Sequence, residues 1–172
     1  HLRLHPKKCK FFTTEGVFLG FKISEDGISI SDQHLRAIRE YPAPKNAREV
    51  RTVIGLFSFF RDFIDKRAEL MQALIEVSKN DVPFIWTDKQ EKAFMNMRDQ
   101  LTSDLVLAFP DFEKDFIVQT DASGIGIGGL LLQKNEQGRL RPVCYAGRAL
   151  NKHEKSASSA HLELLALVYC IL

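Results

Sequence analysis

The chain has 172 residues, of which 45% are hydrophobic and 27% charged, a composition typical of a globular protein long enough to form a core. No apolar run approaches the roughly 20 residues that cross a bilayer, and the basic start lacks the apolar stretch of a signal peptide. We therefore expect no membrane contact and an intracellular location, in the cytoplasm or nucleus. The three cysteines, Cys9, Cys144 and Cys170, make neither a zinc motif nor a disulfide framework, which predicts reduced thiols.

The net charge of +2 is unevenly distributed along the chain. Residues 1–67 carry 13 Lys and Arg against 8 Asp and Glu, whereas residues 68–172 carry 11 against 14. A positive first part suits phosphates and an acidic second part suits cations. The basic segment 1–12 is either a contact for a nucleic-acid backbone or a solvated edge. Because the chain starts without methionine and in mid-pattern, we expect it to be a fragment.

The first elements are a hairpin and a short helix. Residues 16–24 and 28–30 predict two strands about the turn Asp26-Gly27, since Asp-Gly is a strong hairpin signal. A helix is predicted from Ser31 to Glu40, and the prolines in residues 41–44 end it.

Three further helices follow, two of them with a capping box. Asn46 and Glu49 have the spacing of a capping box and open a helix predicted to run to about Ile64. Its core stripe is Val50, Val53, Ile54, Phe57, Phe60 and Ile64. A helix over 68–78 comes next, and a second capping box at residues 87–90 opens a helix to about residue 101, with Ala93, Phe94, Met97 and Leu101 inward.

The helix that begins after Asn46 has a second face. Arg51, Gly55 and Phe59 lie at i, i+4 and i+8 and therefore share that face. A glycine inside a helix costs about 1 kcal/mol relative to alanine, so it requires a reason. Two reasons remain open: close approach of another backbone, from protein or nucleic acid, or tight packing against another helix.

The last third of the chain predicts three strands and a helix. Within residues 115–123, the apolar residues 116–118 predict a buried strand and Asp121 follows where the apolar run stops; the return strand covers 126–133. A third strand over 139–145 contains Pro142, which predicts an edge position. The final helix starts near residues 156–159, and Glu163 is its only polar residue between positions 162 and 172.

Asp121 and Glu163 are the candidate metal ligands. Asp121 ends a strand and Glu163 lies on the next helix, so the two carboxylates can converge at one rim of the sheet and hold Mg²⁺, which activates water in phosphodiester hydrolysis. The alternatives are that Asp121 caps its turn and that Glu163 lies at a solvated helix start. Such centres normally use three or four carboxylates, and only two are identified here.

Three runs in the last third resemble the ribonuclease H domain of gypsy-like LTR retrotransposon reverse transcriptases. They are residues 116–133, which include Asp121-Ala122-Ser123-Gly124, residues 141–150 and residues 161–168. Earlier motifs look like other parts of the same enzyme. Residues 4–9 and 18–24 resemble the end of the polymerase palm, and residues 41–44, 53–64 and 84–87 resemble its thumb and the linker to ribonuclease H.

The resemblance implies an α+β fold, with a β-hairpin, a helical thumb and a partial ribonuclease H-like fold of three antiparallel strands and one helix. Residues 1–30 would be the end of the palm with a primer-grip-like hairpin, 31–103 the thumb and linker, and 104–172 a truncated ribonuclease H-like domain. It implies two sets of nucleic-acid-binding residues, one gripping the primer and one following the duplex minor groove. The first set is Phe18, Leu19, Gly20 and Phe21, and the second is Arg51, Gly55 and Phe59.

The resemblance also assigns Asp121 and Glu163 as the first two metal-binding acids of ribonuclease H. Nothing in the chain matches the paired polymerase aspartates or the later ribonuclease H aspartates. We therefore expect a piece of a reverse transcriptase and ribonuclease H that holds RNA–DNA hybrid or DNA duplex, is inactive alone and binds Mg²⁺ weakly at best. An open sheet edge and an apolar last helix predict a homodimer. The alternative function is a retroelement-derived, non-catalytic host domain for protein interaction or homodimerisation.

Overall fold

The computed structural model describes His5, Cys9 and residues 11–172. It confirms an α+β fold with five helices and two three-stranded antiparallel sheets in the described part. The strands are β1 (Gly16–Phe18), β2 (Phe21–Ser24), β3 (Gly27–Ile30), β4 (Phe116–Ala122), β5 (Gly126–Lys134) and β6 (Leu140–Ala149). The helices are α1 (Asp32–Arg39), α2 (Ala47–Phe59), α3 (Arg67–Ser78), α4 (Asp88–Leu101) and α5 (Ser159–Ile171). Of the predicted basic segment 1–12, residues 1–4, 6–8 and 10 lie outside the described residues.

The first sheet has the order β1-β2-β3, with one strand more than the sequence predicts. The hairpin about Asp26-Gly27 is confirmed, but a single strand over 16–24 was wrong. The chain instead reverses at Leu19-Gly20, whose φ angles of 48° and 86° both lie in the left-handed region. Two consecutive residues of that conformation make the two-residue turn that best fits strand twist, and Phe18 consequently pairs with Phe21.

Helix α2 begins as predicted and ends earlier. The Glu49 N–H donates to Asn46 Oδ1 at 2.9 Å, which confirms the N-cap. The helix ends at Phe59 rather than Ile64, and a 3₁₀ turn over Arg61–Phe63 follows. In a continued α-helix, the 100° step per residue would put Phe63 on the solvent side near Phe59. The tighter turn buries both Phe63 and Ile64 in the core.

The second sheet has the order β4-β5-β6, so β6 is an edge strand, as Pro142 predicts. Leu131 pairs with Cys144 and Leu132 pairs with Pro142, which leaves one residue of β6 unpaired in a bulge. The strand continues to Ala149, four residues beyond the predicted end. The outer edge of β4 has no partner strand among the described residues.

Helices cover the two faces of the second sheet. On one face, a side chain at Gly129 would collide with Cys170 of α5. On the other face, a Cβ at Gly126 would lie 2.5 Å from Ala68 Cβ of α3. Alternation along β5 places residues 126 and 129 on opposite faces, so each glycine allows a different helix to approach the strand.

The first sheet is tied to the segment before β4 through its backbone. Ile28 and Leu107 exchange two N–H···O=C bonds, each of 2.8 Å. Gly27, with φ of 131°, allows this approach, because a side chain there would collide with the Leu107 carbonyl. The division at residues 30 and 103 stays a prediction. Among the described residues, no helix has both the length and the apolar character needed to cross a membrane.

Candidate nucleic-acid interface and acidic site

The tip of the first hairpin projects two apolar side chains into solvent. Phe18 is 64% exposed and Leu19 70% exposed, whereas Gly20 below them is buried. The Gly20 carbonyl accepts a hydrogen bond of 2.9 Å from the N–H of Ser31, at the start of α1. A Cβ at Gly20 would lie 3.0 Å from the His34 ring, so a larger residue fits poorly. The backbone of the tip is therefore fixed to α1, while its apolar side chains are exposed to solvent.

The second predicted face of α2 is solvent-exposed. Arg51, Gly55 and Phe59 are all exposed, and a Cβ built on Gly55 meets nothing within 4 Å. Packing within this chain therefore does not explain the glycine, and the expectation of tight helix packing was wrong for the described residues. Close approach of another molecule at Gly55 stays a prediction. At the start of this face, the Arg51 guanidinium donates to the Ser78 carbonyl at 2.6 Å and to Asn80 Oδ1 at 2.9 Å.

A stack of phenylalanines joins the hairpin to this face of α2. The rings of Phe21 and Phe59 are nearly parallel, with centroids 5.5 Å apart, and Phe63 stacks on Phe21 at 6.0 Å. Phe60 packs edge-on against both Phe21 and Phe59. The structure therefore brings the two predicted sets of binding residues together, and we call them the hairpin–helix surface. It consists of Phe18, Leu19, Gly20, Phe21, Arg51, Gly55 and Phe59.

Asp121 is the second-last residue of β4, and the residues beside it on the neighbouring strands are glycines. It pairs with Gly128, and Gly128 pairs with Gly147, so this level of the sheet carries no other side chain. The Asp121 carboxylate is 65% exposed and lies 3.6 Å from the Lys66 ammonium. Residues 65–69 and the strand ends enclose a cavity of about 500 Å³ here. The sequence did not predict a role for Lys66, which precedes Asp121 by 55 positions. Its backbone has a left-handed φ of 49°.

Glu163 lies on α5, away from this cavity. Asp121 shares its sheet face with Gly128, whereas α5 packs on the opposite face, at Gly129. Residues 5, 9 and 11–172 contain no cluster of three His, Cys, Asp or Glu side chains close enough to hold a metal. A pair of carboxylates from two sides of the sheet is by itself an incomplete ligand set for Mg²⁺.

The apolar side of α5 is largely uncovered. Leu162 and Ala166 are buried and Leu165 and Cys170 are partly buried, but the other apolar residues of the helix are exposed. The exposed members are Leu164, Leu167, Val168, Tyr169, Ile171 and Leu172. The described residues thus leave both the α5 face and the β4 edge open, as the sequence predicts.

A bidentate ion pair holds the segment before α5. Arg148 donates to the two carboxylate oxygens of Glu154 at 2.7 and 2.9 Å, and the Asn151 N–H donates to the same carboxylate at 2.8 Å. These bonds, with the arginine as the main cause, lower the pKa of Glu154 to about 2. The Arg148 guanidinium also lies 5.4 Å from the Tyr169 ring centre, which links β6 to α5. The sequence did not predict this ion pair, because Arg148 and Glu154 are six positions apart across a loop and match no regular spacing.

Known proteins similar to this chain fall in one group. Residues 86–172 match the family described as an RNase H-like domain found in reverse transcriptase. The whole chain is 38% identical to the Retrovirus-related Pol polyprotein from transposon 412 of Drosophila melanogaster. It is 32% identical over 168 residues, 98% of its length, to the Transposon Tf2-3 polyprotein of Schizosaccharomyces pombe. The chain spans only 14% and 13% of these two relatives.

The fold is shared with solved structures of foamy viral protease-reverse transcriptase. The complex with RNA/DNA hybrid gives a TM-score of 0.77 at 22% identity, over 96% of this chain and 22% of that one. The dRH form in complex with ds DNA gives 0.73 at 22% identity, over 91% of this chain and 28% of that one. These likenesses establish the fold, and the family match covers half of the sequence. The chain therefore belongs to the family of RNase H-like domains of reverse transcriptases, with LTR retrotransposon polyproteins as its relatives along its whole length.

Proposed function

We propose that this chain is the duplex-holding part of a retrotransposon reverse transcriptase and ribonuclease H, and that the hairpin–helix surface contacts RNA–DNA hybrid or DNA duplex. The observation that carries the proposal is the stack of Phe21 on Phe59 at 5.5 Å, because it makes one surface from two separately predicted binding elements. In this assignment the first hairpin is the primer grip and α1 to α4 form the thumb and linker.

Three features of the surface support a duplex as its ligand. The exposed Phe18 and Leu19 offer apolar contacts at one end, and Arg51 offers a charge-assisted donor for phosphate at the other. Between them, the bare backbone at Gly55 leaves room for sugar edges. The similar foamy viral structures were solved in complex with RNA/DNA hybrid and with dsDNA, ligands of the kind that we propose here.

The test is binding of a fluorescent RNA–DNA hybrid by anisotropy at several salt concentrations. We expect the affinity to fall steeply as the salt concentration rises. The Arg51→Ala variant should bind about tenfold more weakly, and its slope of log affinity against log salt concentration should be smaller in magnitude by about one. The matched control is Lys92→Ala, which removes an exposed charge from α4. An affinity for the hybrid that changes neither with salt concentration nor in the Arg51→Ala variant would contradict the proposal.

We further propose that the chain is catalytically inactive alone, with Asp121 and Glu163 as part of a larger acidic set. The support is that Asp121 lies 3.6 Å from the Lys66 ammonium, on the sheet face opposite to the one that α5 and its Glu163 cover. Titration calorimetry with Mg²⁺ should show weak binding that Asp121→Asn abolishes. Tight binding that survives Asp121→Asn would show that the ligands are misassigned.

A second candidate function is a non-catalytic host domain that interacts with protein, including a second copy of itself. The open β4 edge and the uncovered face of α5, where Leu164 is 60% exposed, favour it. Light scattering should then show a concentration-dependent dimer that Leu164→Glu dissociates. A dimer without duplex binding would favour this function, whereas a monodisperse monomer at high concentration would remove it.

A further inference from the structure

Arg51 is held by two neutral acceptors at the end of α3. Its Nη1 nitrogen donates to the carbonyl of Ser78, the last residue of that helix, at 2.6 Å and to Asn80 Oδ1 at 2.9 Å. Carbonyls in the last turn of a helix have no partner within the helix and carry its negative dipole end, so a guanidinium suits them. Neither acceptor is a carboxylate, and no ion pair of Arg51 is present among the described residues. The positive charge therefore remains available to a ligand.

The donor count shows which edge of the guanidinium is free. An arginine has five N–H donors, of which Nη1 supplies two. Both Nη1 donors are directed at the acceptors in residues 78 and 80. The remaining donors are on Nε and Nη2, and together these two nitrogens form the side-on fork that fits two oxygens of one phosphate. Arg51 is exposed and shares the α2 face with Gly55 and Phe59, so a duplex on that face lies within its reach.

We propose that Asn80 is a positioning residue for nucleic-acid binding: by fixing Nη1 of Arg51, it presents the edge formed by Nε and Nη2 to a backbone phosphate. This inference rests on the proposed duplex-binding function and names the contact that fixes its orientation. A guanidinium that is already fixed loses less side-chain entropy on binding than a free one. Asn80 itself contributes no charge and does not need to touch the ligand.

A double-mutant cycle with Arg51→Ala and Asn80→Ala, read as hybrid affinity and salt slope, tests the proposal. We expect Asn80→Ala to weaken binding by about threefold and to leave the salt slope unchanged, because the number of charges is the same. In the Arg51→Ala background, Asn80→Ala should have no further effect. Asn80→Asp should lower the slope by about one, since a carboxylate there neutralises the guanidinium.

The controls separate folding from binding. Asn80 is exposed, so its variants should fold, and the same substitution at the exposed Asn96 of α4 should leave affinity unchanged. An Asn80→Ala effect of equal size with and without Arg51 would overturn the positioning role, as would no effect at all. If the parent chain shows no salt-dependent binding, the proposed function itself fails. If the parent binds and the cycle is additive, only the inference about Asn80 fails.

Discussion

We expect the Gly55→Ala variant to be more stable than the parent chain and to bind duplex more weakly. Alanine is favoured over glycine inside a helix by about 1 kcal/mol. The built Cβ meets nothing within 4 Å, so no clash offsets that gain. For a chain of this size, about 1 kcal/mol raises the melting temperature by roughly 2–4 °C. The same methyl group occupies the space that a closely approaching backbone needs, and we expect about a tenfold loss of affinity.

The assay combines thermal unfolding by circular dichroism with hybrid binding by fluorescence anisotropy on the same samples. Asn96→Ala is the control, because it raises helix propensity in α4 without touching the exposed face of α2. Helix α4 lies behind α2, where Phe57 packs on Phe94 with ring centres 5.9 Å apart. A stabilised Gly55→Ala variant with unchanged affinity would refute the close-approach explanation. A destabilised variant would refute the assignment of the space above Gly55 as open.

Two further predictions concern stability. Because the pKa of Glu154 is lowered to about 2, its pairing with Arg148 stabilises the fold fully above about pH 4.5 and is lost as the pH falls toward 2. The melting-temperature difference between the parent and Glu154→Gln should therefore shrink over that range, and a constant difference would contradict the ion-pair assignment. Gln133→Ala should lower the free energy of unfolding in urea by about 2 kcal/mol, because the buried Gln133 amide forms hydrogen bonds with three backbone groups within residues 111–114. An unchanged urea midpoint would contradict that role.

The sequence predicts best those features that depend on neighbouring residues. The N-cap at Asn46 needs only Glu49 three positions later, and the structure confirms it. The turn at Leu19-Gly20 was missed because a run of apolar residues indicates a continuous strand, and leucine rarely adopts a positive φ. What holds Leu19 in place is partly the bond from Ser31 to Gly20, a tertiary contact with no local signal.

In the candidate site too, the local features were predictable from the sequence and the tertiary contacts were not. The spacing of Arg51, Gly55 and Phe59 places them on one helix face, and that face is exposed as the binding hypothesis requires. Their connection to the hairpin depends on Phe21, which meets Phe59 across 38 positions of sequence. Helical periodicity cannot predict which loop packs beside a helix end.

The acidic site depends on the contact between α3 and the second sheet. Gly128 and Gly147 lie beside Asp121 in the sheet, and their lack of side chains allows the start of α3 to come close. Arg67 of α3 donates to the Gly147 carbonyl at 2.9 Å. That approach also brings Lys66 to Asp121. Since an ammonium and a divalent cation compete for one carboxylate, the position of α3 on the sheet determines whether Lys66 can oppose a metal at Asp121. A metal that binds Asp121 would have to displace the Lys66 ammonium, so its affinity would depend on α3 as well as on the carboxylates.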